Sequence, residues 1–124
     1  AVVDPAVRGT FRSPTGNLFC DVSAGAAVPA CEVAQGRVAP PAPMVCPAGG
    51  ARDVGRVELT REGAVPVCNS DTIRVPSAPV LRYGFRTVAA GSPLTCLSET
   101  TGVTCVDTAS RHGFFLTRGG FTLF

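Results

Sequence analysis

The chain holds one histidine, His112, so any histidine-dependent chemistry must pass through it. It stands in Ser110-Arg111-His112-Gly113, a short way after Asp107. A hydrolytic triad would draw on Ser110 and Asp107. No G-x-S-x-G elbow exists to hold a nucleophile, and triad members are recognised by geometry rather than by nearness in sequence. His112 therefore reads as a turn histidine. Glu58 and Glu62 are four residues apart but fall on a strand and its turn, which gives no paired carboxylates for glycoside chemistry. Asn69-Ser70-Asp71 offers oxygens, yet one short turn is not a calcium loop. No phosphate loop or dinucleotide fingerprint is present. The sequence leads us to expect no catalytic residue, no metal and no cofactor.

The basic residues are the better candidates. All eleven are arginine, spread from Arg8 to Arg118, and the net charge is only +2. A nucleic-acid binder concentrates its basic charge on one face or in one run, so no nucleic-acid partner is expected. Within Val80 to Ala90, alternation places Leu81, Tyr83 and Phe85 on one face of a strand and Arg82, Gly84 and Arg86 on the other. Arg82 and Arg86 would then flank a flat gap about 7 Å long. Arg111, His112 and Arg118 join them if the last hairpin lies alongside. Such a patch grips a carboxylate or phosphate in bidentate fashion.

Six cysteines in 124 residues are too many for a reducing compartment, and no C-x-x-C pair suggests zinc, an iron–sulfur cluster or a thioredoxin-type site. Six cysteines allow 15 connectivities. Each successive pair brackets a turn-rich segment between two strand-like runs. The expected bridges are therefore Cys20–Cys31, Cys46–Cys68 and Cys96–Cys105. Each closes a loop whose entropy is worth about 3 kcal/mol. That contribution matters for a core built largely from Val and Ala, which bury little area each.

The elements that must position these residues are short. Gly (14) and Pro (11) make up a fifth of the chain, and only 16% of residues are charged. That composition excludes a helical bundle or coiled coil, while 45% hydrophobic residues exclude disorder. Turn signals at Ser13-Pro14-Thr15-Gly16-Asn17, Arg61-Glu62-Gly63, Gly91-Ser92-Pro93, Glu99-Thr100-Thr101-Gly102 and Arg118-Gly119-Gly120 separate alternating runs. The spacing predicts an all-β domain over 1–124: a compact antiparallel sandwich or small partly closed barrel of about 8–10 strands. Residues 1–7 read as an arm or edge. Pro40, Pro41, Pro43 and Pro47 make 36–50 an irregular surface crossing pinned by Cys46. No apolar run is long enough to cross a membrane. The chain reaches Asp4-Pro5 at once, so a leader or anchor is expected to precede it in the full-length protein.

Several of these residues form a recurring pattern. Ser13-Pro14-Thr15-Gly16-Asn17 precedes Cys20, and Cys31 precedes the Pro-rich stretch. Cys68-Asn69-Ser70-Asp71-Thr72, Tyr83-Gly84 and Gly102-Val103-Thr104-Cys105 follow. The chain closes on Arg111-His112-Gly113-Phe114-Phe115-Leu116-Thr117-Arg118-Gly119-Gly120-Phe121-Thr122-Leu123-Phe124. In this the chain resembles small secreted or envelope-anchored domains of mycobacteria and related actinobacteria, departing mildly at Thr15, Arg111, Thr117 and Phe121. The resemblance implies export and three disulfides, and transfers no catalytic or ligand residue. The function expected is a non-catalytic extracellular or cell-envelope binding module. Its partner would be an envelope or secreted protein or a small ligand. The alternative is a secreted inhibitor of a protease or lysozyme that presents the Pro-rich loop 40–51.

Overall fold

A computed structural model describes residues 2–124, which form eleven strands and, among the described residues, no helix. They are β1 (Val2–Val3), β2 (Thr10–Arg12), β3 (Leu18–Asp21), β4 (Ala30–Val33), β5 (Arg56–Thr60) and β6 (Gly63–Val67), then β7 (Phe85–Val88), β8 (Leu94–Glu99), β9 (Gly102–Asp107), β10 (Gly113–Thr117) and β11 (Gly120–Leu123). Two sheets result: β2-β3-β4-β5-β6 and β1-β7-β8-β9-β10-β11. Their inner faces pack Phe11, Leu18, Val33, Val57 and Leu59 against Val103, Phe114 and Leu116, all nearly or fully buried. This is the expected β-sandwich.

All three expected disulfides are present, and two occupy the centre. Cys20 is directly opposite Cys31 across β3 and β4, and Cys96 is directly opposite Cys105 across β8 and β9. Each sheet thus carries one bridge on its inner face. The two bridges touch, with Cys31 Sγ 3.6 Å from Cys105 Sγ. Sulfur fills the middle of a core that Val and Ala alone would pack thinly.

Of the two forms expected for residues 1–7, arm or edge, the described residues 2–7 take the edge. β1 pairs in parallel with β7, Asp4 N–H donates to Arg86 O, and Val7 is buried in the core. Ala1, the first residue of the expected arm, lies outside the described residues. The expected strand over Val80 to Ala90 shrinks to β7. Gly84 adopts φ +82°, which β-strand backbone does not, and Phe85 N–H donates to Arg82 O to close a turn. Upstream of that turn, Val80 bridges Arg12 at the edge of the other sheet. The run of alternating residues is therefore a crossover between sheets, and its glycine marks the corner.

The outer faces of the two sheets differ. Across the five-stranded sheet, register aligns Arg12, Phe19, Glu32, Arg56 and Val67 in one row. The segment 69–81 crosses this face like a strap. At its start Glu32, fully buried, accepts hydrogen bonds from Arg56 Nε (3.2 Å) and Nη2 (3.0 Å), from the Ile73 N–H (3.0 Å) and from the Thr72 hydroxyl. Arg74 Nε lies 3.3 Å from the same carboxylate. At the strap's far end Arg12 Nε donates to Ala78 O at 2.9 Å. Among the described residues no such cover lies on the six-stranded sheet.

Candidate functional site

The loops at one end of the sandwich frame a cleft of about 160 Å³. The β2–β3 turn supplies Ser13, Thr15 and Asn17. The β8–β9 turn supplies Glu99, Thr100 and Gly102, the β10–β11 turn supplies Thr117 and Arg118, and Tyr83 comes from the corner before β7. A second hollow continues from it past Thr15, Asn17 and Arg118 to Gln35. Much of the rim is held by its own hydrogen bonds. Ser13 Oγ accepts from Leu18 N–H at 3.0 Å, and the Asn17 amide bonds Gln35 N and O at 2.8 and 3.0 Å. The Gly84 N–H donates to Ser98 O, which fixes Tyr83 beside the end of β8. The backbone of the β10–β11 turn is tied down too, by Gly119 N–H donating to Gly36 O at 2.8 Å.

Glu99 and Arg118 are both exposed and make no ion pair or hydrogen bond with any described residue. Glu99 ends β8 and Arg118 lies in the turn after β10, with β9 between those strands, so the two are about 10 Å apart in the backbone. The cleft thus presents one cation, one anion, an aromatic ring and several hydroxyls around an opening large enough for a small polar molecule.

The five sequence-derived binding residues do not form one patch. Arg118 enters the cleft. Arg111 and His112 lie at the opposite end of β10, a strand length away. There Arg111 takes φ +67° in the β9–β10 turn, and the His112 ring sits beside Gly63. The Gly84 turn separates Arg82 from Arg86. The Arg82 guanidinium stands 3.9 Å over the Phe85 ring and 3.6 Å from Asp4 Oδ2, which fastens the N-terminal segment. Arg86 alone stays on the expected solvent face, opposite Leu97.

The polar groups weighed for catalysis or metal binding are engaged in local structure. Asp107 Oδ1 accepts from Ala109 and Ser110 N–H, and Ser110 Oγ accepts from His112 N–H, so all three residues build one turn. Asn69 Oδ1 accepts from Arg37, Ser70 Oγ accepts from Ala51 N–H, and Asp71 pairs with Arg56. Cys20, Cys31 and Cys105 bring their sulfurs together, but each sulfur is already in a disulfide. The Arg56 guanidinium is opposed by burial, yet its bonds to Glu32 and Asp71 outweigh that and raise its pKa. The bond from Arg56 holds the Asp71 carboxyl below its ordinary value.

Sequence reasoning missed Tyr83, Glu99 and the β2–β3 turn as parts of one site. Each was visible as a turn or strand residue, and only the pairing of the two sheets brings the three turns to one end. Comparison with known proteins finds no matching family model, no similar curated protein and no similar solved structure.

Proposed function

We propose that the chain is a non-catalytic binding module of the extracellular space or cell envelope, and that it takes a small polar ligand in the end cleft. The observation that carries this reading is the pair Glu99 and Arg118, of opposite charge and without internal partners, on the walls of a cleft whose rim is otherwise rigidly bonded. Three disulfides support an oxidising environment. No helix of the described residues is long and apolar enough to cross a membrane. The likeness to actinobacterial envelope domains supports export in the same direction. A ligand with a carboxylate for Arg118 and an ammonium or hydroxyl group for Glu99 would satisfy both walls. Ligand-observed NMR with free amino acids, hydroxy acids and monosaccharides tests this. Binding by at least one probe, lost in both Arg118→Ala and Glu99→Gln, is the expected result. No binding, or binding that survives both substitutions, overturns it.

A second reading has its own observation. In the Pro-rich loop Val45 is 82% exposed, beside the bridged Cys46 and between Pro43 and Pro47. An apolar side chain held out on a stapled loop is the shape of a hydrolase inhibitor. Residual activity of a protease and muramidase panel under excess protein tests it. Inhibition abolished by Val45→Asp supports this reading, and full activity throughout removes it.

A further inference from the structure

The outer face of the six-stranded sheet carries an inference independent of the cleft. Register places Arg86, Leu97, Thr104, Phe115 and Thr122 in one row across β7 to β11. Val88, Thr95, Val106 and Gly113 form the next row, with Phe124 completing it through its paired backbone bonds to Gly113. Apart from Gly113, which is buried, none of these residues is buried. These two rows hold one base, Arg86 at the β7 end, and the adjoining row through the Gly102 seat holds one acid, Glu99, directly opposite Gly102.

The two phenylalanines are seated on glycines. A Cβ on Gly102 would lie 2.8 Å from Phe115 Cζ, and one on Gly113 would lie 2.7 Å from Phe124 Cε1 and Cζ. Each ring therefore lies across backbone that a side chain would otherwise cover, a cross-strand arrangement that shields glycine. Phe124 remains 51% exposed. On either side of Phe115, directly opposite it, stand Thr104 and Thr122. Their hydroxyls make no hydrogen bond with any described residue, whereas Thr95 Oγ1 donates to Thr87 O. The two glycine seats are four residues apart in register, about 13 Å along the strands.

We propose that this face is a docking surface for a neutral polysaccharide chain. Sugar rings present an apolar C–H face and an equatorial rim of hydroxyls. The partly exposed Phe115 ring flanked by unpaired threonine hydroxyls, with the more open Phe124 ring along the strands, complements both. Charge argues the same way, since one rim arginine and one rim acid leave the face without net charge, and it offers nothing to a polyanion or an anionic lipid surface. Size argues against a protein. The face spans four strand spacings by four residues, on the order of 300–400 Å² with its side chains. A stable protein interface needs about 800 Å² from each partner. A glycan chain needs only a strip.

Affinity electrophoresis of the oxidised chain through gels containing dextran, mannan or a β-1,3-glucan tests the proposal, with hyaluronan as the charged control. At least one neutral polysaccharide should retard the protein and hyaluronan should not. The double variant Thr104→Val/Thr122→Val keeps β-branched residues and should fold normally. It and Phe124→Ser should each weaken retardation by about tenfold or more. Arg118→Ala should leave it unchanged, which separates this face from the end cleft. Retardation by none of the three neutral polymers, or retardation indifferent to both variants, overturns the proposal. A dimer in sedimentation, or binding to phosphatidylcholine vesicles, that the same variants abolish would assign the face to a second copy or to lipid instead, and would equally overturn it.

Discussion

Glu32 is a carboxylate with no exposure that accepts hydrogen bonds from two arginine nitrogens, a hydroxyl and a backbone N–H. Removing one partner of such a buried pair leaves the other charge without compensation, at a cost of about 3–5 kcal/mol. Glu32→Ala should lose that much in urea denaturation, and its strap should become sensitive to protease near Thr72. Ser98 is the opposite case. Its Oγ is buried with no partner among the described residues, so it gives up hydration for nothing. Ser98→Ala should hold or raise the denaturation midpoint. Asp71 sets part of the acid limb. Its folded pKa is depressed by the bond from Arg56, so its contribution is complete above the unfolded value, about 3.9, and is lost as pH falls through the folded one. Between pH 5 and 2, wild-type stability should drop more steeply than that of Asp71→Asn, and the two should converge at the acid end. None of this network was legible beforehand. Glu32 and Arg56 are far apart in sequence, and only the β4–β5 register sets them side by side.

At the level of elements, the hairpins and their bridges were readable because both signals are local. Cys96 and Cys105 flank a four-residue turn signal on alternating runs, and the turn forms where that signal lies. Long-range placement was not readable. Leu81, Tyr83 and Phe85 alternate as a strand would, yet Gly84 breaks the run, and the alternation reflects a corner that touches both sheets. The bridges themselves should differ in reactivity. Cys20, Cys31, Cys96 and Cys105 are buried to 3% exposure or less, whereas Cys46 and Cys68 are half-exposed. A thiol reductant must reach sulfur to attack it. Under mild reduction of the folded chain, alkylation and peptide mapping should show Cys46–Cys68 opening first. The other two should open only under denaturant. Simultaneous opening of all three would mean that the sandwich breathes far more than its core packing implies.

For the whole molecule, the arrangement of strands has a mechanical meaning. β1 and β11 occupy opposite edges of the same sheet, so the first and last described strands face away from one another across six strands. Tension applied between those ends would not shear the sheet along its hydrogen bonds. It would peel strands away from both edges, opening backbone bonds one after another at low force. Peeling would then meet Cys96–Cys105 from the C-terminal side and Cys20–Cys31 from the N-terminal side, each tying two strands covalently. Each bridge withholds the loop it closes, so in an optical trap the oxidised chain should release a fixed, shorter length than the reduced one. Anchored at one end and loaded at the other, such a molecule yields early at its rims and then behaves as a rivet.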